Sequence, residues 1–178
     1  MPHKLKRQNL DFTNRMLRSV WNLVWVVFFR PTPRNFHAWR RFLLRLFGAK
    51  IARSAHIYPT VRIWAPWNLE MQEGSGIGEY VDVYSVDKIV LLKNSAVSQY
   101  SFLCTATHDY RKLDLPLLTA PIVLGESSWI TADVFVGPGV TIGAGCVVLA
   151  RSTITRDTDD WKVYGGNPAM FIRDRILE

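Results

Sequence analysis

From Ile51 onward, apolar residues return every sixth position. The series Ile51, Ile57, Ile63, Leu69 slips by two residues to Met71, Ile77, Val83, Ile89 and slips again to Leu91, Val97, Leu103. After an interruption it resumes as Leu124, Ile130, Val136, Ile142, Val148, Ile154. Period six matches neither the 3.6 of a helix nor the sustained alternation of a long strand. It matches a chain that makes a short strand, turns a corner and repeats. Small residues follow many of the large ones, as at Ala52, Gly78, Ser98, Gly125, Gly137 and Gly143. A corner favours such residues, and glycine where φ is positive. Four positions after the large residue stands another small or branched one: Ala55, Val61, Val81, Ser95, Ser101, Val134, Val140, Cys146. Three sextets make a triangular coil of about 18 residues, and stacked coils bury one apolar column at about 4.8 Å per layer. Residues 51–108 and 122–158 supply about five coils of a mainly β, parallel β-helix.

The first fifty residues have another character. They hold 11 Lys and Arg against one acid, Asp11, whereas residues 51–178 hold 11 against 14 acids. Among them are Phe12, Trp21, Trp25, Phe28, Phe29, Phe36, Trp39, Phe42 and Phe47. The run Val20 to Phe29 is apolar except for Asn22 and too short to cross a bilayer, which needs about 20 residues. No small-residue cleavage site follows it, so a secretory signal fits poorly. The pattern predicts a helix over 11–29 stopped by Pro31 and Pro33, then a second over 35–47 ended by Gly48. Two uses compete for this head. Its aromatics can pack on the rest of the protein or a neighbouring subunit, or rest on an anionic membrane with the arginines at the headgroups. A nucleic-acid partner is disfavoured, because no recognised motif accompanies the charge and the body is acidic.

Cys104 and Cys146 are too few for a disulfide framework and lack metal-ligand spacing. They sit at small-residue positions of the repeat, where packing is the expected role. His108 stands where the repeat breaks, ahead of the non-repeating stretch 109–121. A histidine there, beside a loop able to fold over a groove, can act as a general base near neutral pH. Asp82, Asp87 and Asp109 are the local carboxylates that could orient it.

The segments Trp21-Asn22-Leu23-Val24-Trp25, Arg30-Pro31-Thr32-Pro33-Arg34, His37 to Leu44, Trp64 to Leu69, Ser98 to Tyr110 and Gly166-Asn167-Pro168-Ala169 span nearly the whole chain. In them the sequence resembles the hexapeptide-repeat acyltransferases, in particular the colanic-acid-type O-acetyltransferases of extracellular polysaccharide synthesis. That resemblance implies a left-handed β-helix and acetyl transfer from acetyl-CoA to a sugar hydroxyl, with no metal. His108 is then the base, with Asp82 beside it and Tyr84, Asp87, Asp109 and Tyr110 on the acceptor side. Trp129, Ala132, Ala150, Thr155, Arg156 and Arg173 match the acetyl-CoA groove. The family pattern further implies a homotrimer with sites between adjacent columns, a sugar or lipid-linked saccharide acceptor, and a cytoplasmic location or one at the inner face of the cell membrane. Two features depart from it: Asp159-Asp160 replaces two prolines before Trp161, and Met170 replaces a basic residue. The alternatives are a free sugar or xenobiotic acceptor and a non-catalytic scaffold. A zinc-dependent relative of the same fold is disfavoured, since only His56 and His108 lie in the repeats.

Overall fold

A computed structural model describes residues 5–8 and 10–177. The repeat folds into a three-faced prism of parallel strands. Face 1 stacks Lys50–Ile51, Leu69–Met71, Ile89–Leu91, Ile122–Leu124 and Thr141–Ile142. Face 2 stacks His56–Ile57, Gly76–Ile77, Ala96–Val97, Trp129–Ile130 and Val147–Val148. Face 3 stacks Arg62–Ile63, Asp82–Tyr84, Phe102–Cys104, Phe135–Val136 and Thr153–Ile154. Every residue of the six-step series is buried, and together they form one continuous core. Most strands hold only two residues, one inward and one outward, so inter-coil hydrogen bonds and the central column hold the stack together.

The slips in the repeat have a single location. The register advances 20 residues from Ile51 to Met71 and again from Met71 to Leu91, then 33 to Leu124 and 18 to Ile142. All the extra residues lie at the corner between faces 3 and 1. In the first coil they form the short turn Pro66–Asn68, and the Asn68 Nδ2 group donates to the carbonyls of Ser85 and Val86 in the next coil. In the third coil the same corner grows into a hairpin, Ala106–His108 paired with Leu117–Thr119. The expected loop 109–121 is therefore partly strand, and the hairpin begins before it. Its outer edge carries a strand the repeat could not foretell: Lys6–Arg7 pairs antiparallel with Leu118 and Thr119.

The small residues after the core positions answer to stacking. A Cβ at Gly143 would lie 2.4 Å from the Asp159 backbone. The positive-φ corner between faces 2 and 3 carries Tyr80, Tyr100, Asp133 and Arg151 instead, with φ of 58°, 63°, 59° and 60°.

The head is a lid on the base of the prism. Helix α1 spans Phe12–Val24 with Asp11 as N-cap, and continues as a π-helical turn, Trp25–Phe29. Helix α2 spans His37–Leu46, and Gly48 follows it at φ +84°. In each coil the strand N–H groups reach up to carbonyls of the next, as from Ala52 to Met71 and His56 to Ser75. The lowest coil therefore presents unpaired carbonyls downward, a costly edge if left bare. The head supplies the donors. Trp21 Nε1 bonds Ile63 O at 2.7 Å and Trp25 Nε1 bonds Val61 O at 2.8 Å. The guanidinium groups of Arg40, Arg41 and Arg45 bond the carbonyls of Ile57, Ala55 and Ile51. Buried Arg40 also donates to Thr32 Oγ1 and to the carbonyls of Pro33 and Arg34. Trp21, Phe29, Leu43 and Leu44 extend the core beneath the first coil. In a regular α-helix, Trp21 and Phe29 would stand about 80° apart; the wider π turn brings both to the inner face.

The opposite end shows the complement. Asp157, Thr158 and Asp160 accept from the upward N–H groups of Thr141, Gly143 and Ala144. The expected short tail is instead a β-hairpin, Lys162–Gly166 with Ala169–Asp174, that prolongs face 2.

Candidate active site

His108 ends the first strand of the corner hairpin, opposite Leu117, with its side chain exposed. Its Nδ1 lies 2.5 Å from the carbonyl oxygen of Leu115. A carbonyl can only accept, so in the neutral ring Nδ1 carries the proton and Nε2 keeps its lone pair. The expected orienting role of a carboxylate is thus filled by a backbone group. Leu115 holds that carbonyl in place with a left-handed φ of +42°, unusual for leucine. No residue pattern signals such a contact.

The carboxylates around the hairpin have separate tasks. Asp87 accepts at Oδ2 from Thr119 Oγ1 at 3.1 Å and at Oδ1 from the Lys88 N–H, while its own N–H donates to Thr105 Oγ1. Thr105 and Thr119 sit at the hairpin's root, so Asp87 ties that root to the preceding coil. Asp109 is bonded by Arg111 through Nε and Nη2, and this contact holds its carboxyl below the usual range. That leaves Asp109 shaping the hairpin turn. Asp82 lies outward on face 3, between Arg62 and Phe102 in the ladder. Burial raises its pKa, and the neighbouring Arg62 opposes the shift. Tyr84, beside it, makes edge contacts with Trp64 and Phe102 at 5.6 and 6.1 Å. Tyr110 projects from the hairpin tip, 87% exposed.

The donor candidates lie elsewhere on the prism. Trp129 stands outward on face 2, half exposed, with Nε1 held by Ser98 Oγ at 2.9 Å. Ala132 and Ala150 stack at the corner between faces 2 and 3, where the Arg151 N–H bonds the Ala132 carbonyl. Below them the same corner opens into a cavity of about 490 Å³ lined by Gly76, Gly78, Ser98, Gln99 and the stacked rings of Tyr80 and Tyr100. Thr155 and Arg156 lie beyond the far edge of face 3, in a cavity of about 360 Å³ closed by Tyr164, Ala169, Met170 and Phe171. Arg173 sits in the terminal hairpin opposite Val163. The two departures from the family pattern fall here: Asp160 caps the top coil, Asp159 accepts from the Tyr164 hydroxyl, and Met170 lines the cavity.

One chain therefore gathers Asp82, Tyr84, Asp87 and His108 around face 3 and its corner with face 1. It sets Trp129, Ala132 and Ala150 at face 2 and its corner with face 3. Both thiols are buried, which raises their pKa. The chemistry open to the site is proton transfer at the His108 imidazole.

No protein-family model matches the chain. The chain is 41% identical over 163 residues to a candidate colanic acid biosynthesis acetyltransferase of Escherichia coli K12, covering 92% of this chain and 90% of that one. Its fold matches a maltose O-acetyltransferase from Clostridium difficile 630 at TM-score 0.84 and 23% identity, over 98% of this chain and 94% of that one. It matches a hexapeptide-repeat acetyltransferase of Vibrio cholerae, complexed with acetyl coenzyme A, at TM-score 0.82 and 24% identity over 96% and 93%. The fold is thus that of the hexapeptide-repeat acetyltransferases. The sequence identity goes further: the chain belongs to the colanic acid biosynthesis acetyltransferase family, and is an acetyltransferase by that membership.

Proposed function

We propose that this protein transfers the acetyl group of acetyl-CoA directly to a sugar hydroxyl during extracellular polysaccharide synthesis, with His108 as general base. The observation that carries the reading is the contact of His108 Nδ1 with the Leu115 carbonyl oxygen. With Nδ1–H engaged by Leu115 O, the Nε2 lone pair is free on an exposed ring. It takes the hydroxyl proton as the sugar oxygen attacks the thioester carbonyl. A backbone N–H of a neighbouring coil stabilises the tetrahedral oxyanion. As the C–S bond breaks, the imidazolium returns the proton to the departing thiolate, and no acyl-enzyme forms.

The reading includes side-by-side packing of three chains into a homotrimer. The base and the small-residue edge at Ala132 and Ala150 belong to different faces of one prism, so columns in contact bring one chain's His108 to the next chain's edge. The flat edge suits an extended pantetheine arm along Trp129, and Arg156 and Arg173 suit phosphates at its far end. Asp82 and Tyr84 then face the acceptor, with Tyr110 at its rim.

The test is release of CoA from acetyl-CoA with a panel of nucleotide sugars, lipid-linked saccharides and oligosaccharides, with mass detection of the acetylated product. Replacing His108 by Ala is expected to lower turnover by about 10²–10⁴-fold while leaving the thermal midpoint unchanged. Unchanged turnover in that variant overturns the mechanism. Absence of product across the panel overturns the sugar reading.

A further inference from the structure

The head's helices are apolar on two sides, and the fold uses only one. On α1 and its π turn, the inner side carries Trp21, Trp25 and Phe29 under the first coil. A second stripe, Phe12, Met16, Val20, Leu23 and Val27, advances by 4, 4, 3 and 4 residues along the opposite side. Its members are 80%, 51%, 48%, 65% and 47% exposed. On α2, Arg40, Leu43 and Leu44 face the prism, while Trp39, Phe42 and Leu46 face away, 40%, 53% and 68% exposed. The Trp39 indole donates to the Phe28 carbonyl at 2.9 Å, which joins the outer sides of both helices into one surface. Stray exposed apolar residues are ordinary, but two aligned stripes on adjoining helices form a contiguous patch of the kind that marks an interaction surface.

We infer that this outer surface of the head lies in the headgroup region of an anionic phospholipid bilayer, with the prism standing on its base. Three observations select that occupant. The stripes lie on the helix sides turned away from the carbonyls of the first coil, so the fold of the chain leaves them uncovered. In the trimer proposed above, three such surfaces share one plane and reinforce one another. Of the 11 Lys and Arg in the first fifty residues, Arg40, Arg41 and Arg45 turn inward to the coil carbonyls and Arg7, Arg34 and Lys50 pair with Asp114, Glu79 and Glu70, but Arg15 stands exposed beside the α1 stripe and Asp11 is the one acid of the segment. A second copy docked base to base would bring two such charges together, whereas an anionic surface attracts them. Finally, among the described residues no helix is long and apolar enough to cross a membrane, and two short amphipathic helices with a tryptophan suit the interface plane. Docked this way, the His108 hairpin stands a few coils above the lipid surface, at a height suited to the saccharide of a lipid-linked acceptor.

Flotation of the full chain with vesicles tests the surface independently of the activity, because it reads binding alone. With vesicles of phosphatidylcholine containing one-third phosphatidylglycerol, the protein is expected to float, and with phosphatidylcholine alone to float about tenfold less. Raising the salt is expected to weaken the first result. Leu23→Asp and Phe42→Asp, both at exposed positions, are each expected to cut flotation about tenfold with unchanged circular dichroism and unchanged CoA release on a soluble acceptor. A wild-type protein that stays unbound with both vesicles overturns the inference. So do patch variants that float like the wild type, or that lower the oligomeric mass in the absence of lipid, the last marking the surface as a contact between copies.

Discussion

The two ends of the prism solve the same problem with opposite chemistry. At the base, the lowest coil presents carbonyl oxygens, and the head meets them with indole N–H and guanidinium donors. At the top, the last coil presents N–H groups, and Asp157, Thr158 and Asp160 meet them with acceptors. A stack whose hydrogen bonds all run one way has a donor end and an acceptor end, so its caps differ in charge. The basic first fifty residues and the acidic Asp157-Thr158-Asp159-Asp160 run follow in part from that polarity. They differ also in depth: the base cap is continuous with the core, and the aspartate contacts of the top cap lie in solvent.

That contrast can be broken residue by residue. Trp21→Ala removes a fully buried ring and the donor to Ile63, and is expected to cost about 3–5 kcal/mol in denaturant unfolding. A loss as small as that of a surface substitution would show that the base cap is dispensable. Arg40→Met strips donors from the carbonyls of Ile57, Pro33 and Arg34, and about 2–3 kcal/mol of stability should go with them. Arg40→Lys should restore only part of it, since an ammonium cannot span the same carbonyls as the planar fork. At the other end, Asp160→Ala leaves the Ala144 N–H to water, and unfolding should shift by about 1 kcal/mol or less. Equal losses at Arg40 and Asp160 would erase the difference between buried and exposed caps.

The smallest effect concerns pH. His37 Nδ1 lies 2.9 Å from the Ile57 carbonyl oxygen and 3.2 Å from its N–H; burial lowers its pKa below 6.5, the carbonyl contact opposes that shift, and the charge of Arg40 adds to it. The folded state then binds a proton less readily than the unfolded chain. This contribution to stability is complete above pH 6.5 and falls as the pH drops through the lowered folded value. Melting curves on either side of pH 6.5 should show a decline in the wild type that His37→Gln lessens.

Much of this architecture was legible in the residues. A period of six fixes which side chains point inward, because inside and outside alternate over two-residue strands and the corners recur in step; each position from Ile51 to Ile154 in that series is in the core. The position of His108 at the break in the repeat was equally legible, as were two helices in the head. Other features depend on contacts between residues far apart in sequence. Lys6–Arg7 joins a hairpin more than a hundred residues later through backbone bonds that any side chain could accompany. The Leu115 carbonyl that selects the His108 tautomer is likewise a main-chain group with no signature of its own. Composition revealed a basic, aromatic head, but only packing could sort Trp21 and Arg40 under the first coil and leave Leu23 and Phe42 outside. Local pattern governs what a residue does within its coil; which distant group it meets is decided when the chain closes on itself.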